Sequence, residues 1–157
     1  MTTDIDERLR DLGIELPRVL PPAGNYVPVV RTGALLYTSG AGPVRPDGSM
    51  VTGKVGTDID LEAGVEAARL TGLQLLAALA AECGSLNSIK RIVKIFGMVN
   101  CAPGFRSTPA VINGFTDLIL EIFGREVGAH ARSAIGVAEL PFNLPVEIEG
   151  EVELRPR

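Results

Sequence analysis

The sequence predicts an α+β fold in which a mostly antiparallel sheet carries two long helices on one face. Three observations lead to this class. Two segments with helical spacing of apolar residues alternate with β-branched stretches. The predicted order of elements is β-β-(β)-α-β-α-β-β, and consecutive strands at each end of the chain indicate hairpins. The last strand alternates between aliphatic and acidic residues, so only one of its faces suits a core.

The first half of the chain contains short elements separated by turns. In order, we predict a helix over residues 4–13, an irregular arm over 14–25, strands over 26–31 and 34–40, and a short strand near 50–52. Asp4 or Thr3 caps the helix, and Gly13 ends it. Residues 32–33 form the hairpin turn, and Pro28 requires an edge or a bulge because it cannot donate a ladder hydrogen bond.

The second half contains the longer elements. In order, we predict a helix over residues 60–82, a strand over 88–100, a helix from 107–109 to Gly124, and strands over 131–138 and 146–154. Asp60 caps the first of these helices, and Gly84 follows its end. Gly64 and Gly72 are expected to permit close packing of that helix against a sheet. Its predicted apolar stripe is Leu61, Val65, Ala68, Gly72, Leu76 and Leu79. One face of the long strand is predicted to carry Ile89, Arg91, Val93, Ile95, Gly97 and Val99.

The length of 157 residues suits a single domain, which we divide into an N-terminal helix and arm over residues 1–20 and one domain over residues 21–157. Hydrophobic residues make up 46% of the chain, and they are mainly aliphatic because aromatic residues contribute only 4%. A small domain this aliphatic can carry more apolar surface than one core hides, which is a first indication of an oligomer.

The net charge and the spacing of the cysteines argue against several classes of protein. A formal net charge of −4 argues against generic nucleic-acid binding, which depends on basic patches. Cys83 and Cys101 form no CxxC motif, which favours two buried free thiols, and a single histidine argues against a transition-metal site. The charged N-terminus is no signal peptide, and no apolar run approaches the roughly 20 residues of a membrane span. We therefore expect a cytoplasmic protein without a membrane partner.

Two charged residues near the C-terminus are candidates for catalysis. Arg132 opens a strand directly after a loop, where a guanidinium can bind a carboxylate through two parallel hydrogen bonds. Glu147 lies on the polar face of the last strand, and a glutamate beside an apolar wall can hold a raised pKa and take a proton from water. The pattern alone also fits a surface arginine without a partner and a solvated acidic face. Nothing local separates Glu147 from Glu149 or Glu151.

Five further residues are candidates for binding a substrate. Gly24-Asn25-Tyr26 leads into the first strand, and Tyr26 either reaches a cleft or packs against the core. Ser39 and Gly40 begin a glycine-rich turn whose amides could hold an anion, although the Lys-Ser/Thr pair of a phosphate loop is missing. Asn113 lies within the second long helix, where an amide is unusual unless it is exposed or hydrogen-bonded. His130 precedes the candidate arginine by two residues and is either structural or part of the site.

Four stretches carry a resemblance to a known family. They are Gly24-Asn25-Tyr26, LLYTSGAGPV, ARSAIGVAELP and PVEIEGEVEL. Over roughly residues 20–154, the chain resembles the YjgF/RidA family, which is also called the L-PSP endoribonuclease family. The ARSAIGVAELP stretch with VEIE downstream is fairly specific, whereas the glycine turn alone is not. The N-terminal helix and the GKVG and EAARL segments look like a longer-chain, less characterised branch.

The resemblance implies a chorismate-mutase-like fold and a homotrimer with a central β-barrel and clefts between subunits. It implies hydrolysis of reactive 2-imino or enamino acids to 2-keto acids and ammonia, without a cofactor or a metal. Arg132 would hold the carboxylate of this small metabolite, and Glu147 would activate water. Tyr26 would line the pocket, and Asn113 would lie close to it.

Three positions depart from the deaminase pattern. Ala134 stands where the deaminases often have a cysteine, Ala41 where they usually have a glutamine, and His130 where they usually have an apolar or proline-flanked residue. These differences leave the substrate open. One alternative is a non-catalytic regulatory trimer that binds small carboxylates. An endoribonuclease is a further alternative, which the negative charge and the scarcity of aromatic residues disfavour.

Overall fold

The computed structural model describes residues 4–156, which form a five-stranded sheet and three helices. In chain order the elements are α1 (Ile5–Asp11), β1 (Val29–Thr32), β2 (Leu35–Thr38), α2 (Leu61–Cys83), β3 (Ile89–Asn100), α3 (Thr108–Gly128), β4 (Ala131–Val137) and β5 (Val146–Leu154), with 3₁₀ turns at Leu86–Ser88 and Pro141–Asn143. The strand order is β1-β2-β5-β3-β4, and only the β3–β4 pair is parallel. The predicted α+β class and mostly antiparallel sheet are confirmed.

The predicted N-terminal helix is present and is held by its cap. Asp4 accepts a hydrogen bond from the Glu7 amide at 3.1 Å, which satisfies one of the free donors of the first turn. Ile5 and Leu9 lie one helical turn apart and are both buried in the core. Residues 14–22, which follow α1, carry no regular structure, as the prolines predict.

The predicted hairpin is also present, whereas the short strand predicted near residue 50 is wrong. β1 and β2 pair around Gly33, whose φ of +59° suits the turn. Met50 forms only an isolated bridge with Val44. Left-handed glycines at positions 48 and 53 flank this segment, so too few extended residues remain between them to build a ladder.

The glycines of α2 permit close contact with another helix and not with the sheet, which corrects the prediction. A Cβ at Gly72 would lie 2.9 Å from Leu118 and 3.1 Å from Phe115, and both of these residues belong to α3. A Cβ at Gly64 would crowd Val55 and Val111. The predicted stripe is correct over Ala68, Gly72, Leu76 and Leu79, whereas Leu61 in the first turn is 39% exposed.

α3 begins after Ser107 as predicted, and its regular helical backbone ends at Gly124 as predicted. Gly124 adopts a φ of +68° and kinks the chain, and a short helical segment continues from there to Gly128. Glycine allows this backbone conformation without the steric cost that a side chain would add. The extension places Gly128 directly before β4.

The two C-terminal strands do not pair with each other, so the predicted C-terminal hairpin is wrong. β5 lies between β2 and β3, and β4 is an edge strand parallel to β3. α3 is the crossover helix that returns the chain parallel to β3, as parallel neighbours require. β5 is the more buried strand, with Val146, Ile148 and Val152 fully inaccessible, and it therefore occupies a central position.

The predicted faces of β3 are correct only in its second half. The β3–β5 register shifts between Ile89 and Arg91 and again between Ile92 and Lys94. Each irregularity reverses the alternation, so Ile92 is buried while Arg91 is exposed. From Ile95 onward the predicted alternation holds.

The two faces of the sheet differ in character. The helix-facing side is apolar, whereas the other side carries the alternating glutamates of β5 together with Tyr37 and Ile135, which are 41% and 42% exposed. Cys83 and Cys101 are free thiols, as predicted, but both are only partly buried. None of the helices within residues 4–156 is long and apolar enough to cross a membrane.

Candidate functional site

A groove of about 660 Å³ collects four of the predicted site residues. They are Tyr26, Ser39, Gly40 and Glu147. The N-terminal arm, the turn after β2, α2 and the connection between β4 and β5 form its walls. Its apolar lining includes Leu20, Val44, Met50, Leu75, Phe142 and Leu144. A concave, largely apolar space with a few polar groups is the usual form of a small-molecule site.

Glu147 projects into this groove directly beside Gly40. Ala41 and Ile148 exchange backbone hydrogen bonds of 2.9 and 3.0 Å, which bring the turn after β2 alongside β5. A Cβ on Gly40 would lie 2.1 Å from Glu147 Oε1, so any larger residue at position 40 would force this carboxyl out of its position. Burial, with a smaller contribution from the charge of Glu149, raises the pKa of Glu147. The environment therefore distinguishes Glu147 from Glu149 and Glu151, for which the sequence pattern alone gave no distinction.

Ser39 and Tyr26 shape the rim of the groove. The Ser39 hydroxyl donates to the Val27 carbonyl at 2.7 Å, and its amide donates to the Pro28 carbonyl at 2.8 Å. Ser39 therefore fixes the segment that carries Tyr26. The Tyr26 hydroxyl accepts a hydrogen bond of 3.3 Å from the Ala23 amide, and the side chain is 48% exposed.

A buried polar network that the sequence analysis missed holds the connection between β4 and β5. Lys54 Nζ donates to Asn100 Oδ1 at 2.6 Å and to the Ala138 carbonyl, and it forms an ion pair with Glu139. Asn100 is fully buried and donates to the Leu144 carbonyl at 3.1 Å. An asparagine at the end of a long β-branched strand was the signal available in the sequence.

The same connection carries backbone strain. Phe142 and Asn143 adopt φ angles of +56° and +55°, which non-glycine residues seldom take. Such conformations persist where contacts with the surrounding residues hold the backbone in place. The contacts of Lys54 and Asn100 provide these constraints, and the result is a fixed groove wall with Phe142 at its edge.

Arg132 lies on the edge strand β4 and is held by α3. Its Nη1 donates to Thr116 Oγ1 at 3.0 Å, and its Nη2 donates to the Pro109 carbonyl at 3.1 Å. A guanidinium has five N–H donors, and the other three make no hydrogen bond within residues 4–156. The exposed edge of Arg132 can thus bind a planar anion.

His130 lies beside Arg132, whereas Asn113 forms no hydrogen bond with either of them. His130 Nε2 lies 3.1 Å from Thr116 Oγ1, and its Nδ1 lies 2.6 Å from the Gly128 carbonyl. Asn113 is exposed on α3, and its side chain makes no hydrogen bond to any residue from 4 to 156. Thr116 is the member of this cluster that the sequence analysis missed, because a threonine on a helix carries no signal of its own.

The groove is separate from the cluster of Arg132, Thr116 and His130 within one chain, and we call the latter the Arg132 cluster. Met98 on β3 pairs with Glu147 on one side and with Ile135 on the other, whereas Arg132 pairs with Ile95. Two strand spacings and three residues along β4 put the Cα atoms of Arg132 and Glu147 roughly 14 Å apart. Arg132 points toward α3, and Glu147 points to the opposite face. One chain therefore does not bring the two candidate catalytic residues together.

No group of three or more potential metal ligands occurs among residues 4–156. The polar groups of the two regions are instead a carboxyl with a raised pKa, a hydrogen-bonded guanidinium and an imidazole whose pKa is lowered, mainly by burial. These groups can bind a carboxylate and transfer a proton to or from water.

Comparison with known proteins points to one family. The family model described as "YjgF/chorismate mutase-like, putative endoribonuclease" matches residues 6–148. Protein TCP17 of Trypanosoma cruzi is 44% identical over 93% of this chain and 91% of that protein. The crystal structure of Atu1372 from Agrobacterium tumefaciens, a protein of unknown function, is 42% identical with a TM-score of 0.86 over 96% of this chain and 94% of that one. A Shewanella oneidensis structure described as a "putative endoribonuclease" is 34% identical with a TM-score of 0.91 over 97% and 100% of the two chains.

Proposed function

The chain belongs to the YjgF/chorismate mutase-like family, and from this premise we propose that it hydrolyses reactive 2-imino or enamino acids to 2-keto acids and ammonia. The observation that carries the proposal is the Glu147 carboxyl, which lies in the groove against Gly40 with a raised pKa. A carboxyl of this kind can accept a proton from water and return it within one catalytic cycle.

We propose further that the working unit is a homotrimer with a central β-barrel. The open face of the sheet supports this arrangement, because it carries the exposed Tyr37 and Ile135 and the partly buried Phe96 and Met98. A second copy packed against the groove would supply the Arg132 cluster together with Asn113. The site would then lie between subunits and be incomplete in either copy alone.

In this site Arg132 binds the substrate carboxylate. Its free N–H groups form a planar fork, and two parallel charge-assisted hydrogen bonds fix both the position and the plane of a carboxylate. The imine carbon is bonded to that carboxylate, so its position is fixed as well. Holding the reacting carbon near a bound water converts a bimolecular encounter into a step within one complex.

Glu147 acts on the water. As the water oxygen bonds to the imine carbon, Glu147 takes one of its protons and the electrons of the C=N bond move to nitrogen. The protonated carboxyl returns this proton to nitrogen, which completes the carbinolamine. Glu147 then transfers the hydroxyl proton to nitrogen, the C–N bond breaks, ammonia leaves, and the carbon becomes the carbonyl of the 2-keto acid. The raised pKa of Glu147 makes its carboxylate a stronger base toward water than that of an ordinary glutamate.

The apolar walls of the groove favour substrates with apolar side chains. Leu20, Met50 and Phe142 lie in the same groove as the Glu147 carboxyl. An imine with an apolar side chain would remove this surface from water, which contributes favourably in proportion to the area buried. The substrate panel should therefore extend from the three-carbon imine to imines with larger apolar side chains.

The test is a coupled assay in which a pyridoxal-phosphate lyase generates 2-aminoacrylate from serine and semicarbazide competes for the imine. We expect wild type to accelerate keto-acid formation, and Arg132→Ala to reduce it to the buffer rate while the oligomer stays intact. Arg31→Ala is the matched control, because Arg31 is an exposed arginine on the opposite edge strand. Keto-acid formation by wild type at the buffer rate would contradict the proposal.

The same preparation separates the other two candidates. Binding of pyruvate without imine turnover would indicate a carboxylate-binding regulatory trimer. Cleavage of RNA that persists at high salt and is lost in Arg132→Ala would indicate an endoribonuclease. The net charge of −4 and the acidic sheet face disfavour that outcome.

A further inference from the structure

Thr116 lies between His130 and Arg132 and contacts both of them. Its hydroxyl accepts a hydrogen bond from Arg132 Nη1 at 3.0 Å and lies 3.1 Å from His130 Nε2. We propose that Thr116 and His130 are positioning residues, which hold the Arg132 guanidinium through a directed hydrogen-bond chain in which His130 is protonated on Nδ1. The inference rests on the proposed function, in which Arg132 binds the substrate carboxylate.

The direction of this chain follows from which groups can donate. The Gly128 carbonyl only accepts, so the imidazole nitrogen 2.6 Å from it, Nδ1, carries a proton. In a neutral imidazole, Nε2 is then an acceptor, and the Thr116 hydroxyl donates its single proton to it. The lone pairs of the Thr116 oxygen remain free to accept from Arg132, which can only donate. This one arrangement satisfies all the groups at once.

The surroundings of His130 favour its neutral form. Burial is the largest effect and lowers the pKa of His130, the hydrogen bond to the Gly128 carbonyl partly opposes it, and the charge of Arg132 lowers the pKa further. Arg132 on β4 is the charged group that faces the imidazole. α3 contributes the neutral Thr116 hydroxyl and the Phe115 ring, whose centroid is 6.1 Å from that of the imidazole.

Protonation of His130 would reverse the direction of the hydrogen bond between Nε2 and the Thr116 hydroxyl. Nε2 would become a donor, and the Thr116 oxygen would have to accept from both of its neighbours. The imidazolium would also place a second positive charge beside Arg132. Acidification is therefore expected to loosen the guanidinium and to weaken carboxylate binding, whereas the neutral imidazole holds Thr116 in the orientation that Arg132 needs.

The network matters for binding because arginine is a flexible side chain. Two of its N–H groups are anchored at Thr116 and the Pro109 carbonyl, which leaves the remaining donors in a fixed plane. A guanidinium that is already ordered loses less side-chain entropy when it binds its ligand. His130 acts one step removed, by holding the Thr116 hydroxyl.

The experiment uses the single histidine of the chain, whose imidazole NMR signals need no assignment. Nitrogen-15 spectra distinguish a protonated Nδ1 from a protonated Nε2, and the same samples are titrated with pyruvate as the carboxylate probe. The variants are Thr116→Val, which removes the hydroxyl at nearly constant shape, and Thr116→Ser, which restores it. Thr71→Val is the matched control, because Thr71 also lies in a helix and its hydroxyl donates to the Ala67 carbonyl, its one hydrogen-bond partner among residues 4–156.

In wild type, Thr116→Ser and Thr71→Val, we expect a proton on Nδ1 and an unprotonated Nε2. In Thr116→Val, Nδ1 should stay protonated because the Gly128 carbonyl still accepts its proton, whereas the Nε2 signal should shift because Nε2 loses the Thr116 donor. The dissociation constant for pyruvate should rise about tenfold as Arg132 loses its Thr116 acceptor. A proton on Nε2 in neutral wild type would overturn the inference. So would an unchanged spectrum and affinity in Thr116→Val. Failure of wild type to bind pyruvate would instead contradict the proposed function, while the tautomer spectra would still decide the network.

Discussion

The Glu147 groove and the Arg132 cluster place their charged groups in different ways. Glu147 makes no hydrogen bond to another side chain within residues 4–156, and its position depends on the close approach of the Gly40 backbone. Arg132 is held by side-chain and carbonyl acceptors on α3. The groove should therefore be sensitive to added volume, whereas the cluster should be sensitive to the loss of a single hydroxyl. A carboxyl with few partners is free to change its protonation state, and an anchored guanidinium is suited to binding.

The largest effect is expected for Glu147→Gln, which removes the proton acceptor while keeping the shape of the side chain. The value of kcat for imine hydrolysis should fall by about 10²–10⁴-fold, the usual contribution of a general base, with little change in KM. Glu151→Gln is the matched control, since Glu151 lies on the same strand face but outside the groove. Equal losses in the two variants would remove the distinction between Glu147 and its neighbours.

Gly40→Ala tests the added-volume side of the comparison. The new methyl group would occupy the place of the Glu147 carboxyl, because its Cβ would lie 2.1 Å from Oε1. Displacing the carboxyl should lower kcat by roughly 10²-fold. In a Glu147→Ala background the same substitution should cost nothing further in activity. An additive loss in the double variant would show that Gly40 acts independently of Glu147.

Lys54→Met tests whether the groove wall depends on its buried network. Asn100 would lose the partner of its buried Oδ1, so the free energy of unfolding should fall by about 1–3 kcal/mol. Lys90→Met removes an exposed ion pair with Glu153 and should cost at most about 1 kcal/mol. Chemical denaturation at equal protein concentration compares the two variants. The His130 spectrum should be unchanged in Lys54→Met, because the two regions are separate.

The smallest effect is a pH dependence of stability. The pKa of Glu147 is raised in the folded state, so the ionised carboxyl favours the unfolded chain. The stability that goes with the protonated Glu147 carboxyl is fully present below the unfolded-state pKa and is lost as the pH rises through the folded-state pKa. Glu147→Gln should therefore gain stability relative to wild type between about pH 4 and neutrality. A difference in unfolding free energy that stays constant over this range would contradict the raised pKa.

Local signals in the sequence were enough to predict most of the helices and strands, but they did not predict which strands pair with each other. Asp4 and Asp60 cap the predicted helices, and the alternation of β5 is as expected. The position of β5 between β2 and β3 could not be read from the sequence, because strand order depends on the crossover through α3. The bulges in β3 also escaped prediction, since no residue there marks the change of register.

The site was predictable to a similar extent. The resemblance pointed to Arg132 and Glu147, but only the fold places them on opposite faces of the sheet. Thr116 and Lys54 act through contacts with residues distant in the sequence, and their immediate neighbours in the chain carry no trace of these contacts. Polar residues that complete such networks are therefore found from geometry.

The central claim is that one site needs two copies of the chain, and subunit mixing tests it most directly. Arg132→Ala and Glu147→Gln, each inactive alone, are co-expressed with different tags and the mixed oligomers are isolated. If each cleft takes its arginine and its glutamate from different copies, every mixed trimer has one intact cleft of its three, and the mixed oligomers regain about one third of the wild-type turnover. If one copy supplied both residues, every cleft would retain one defect, and the mixed oligomers would stay as inactive as the parents.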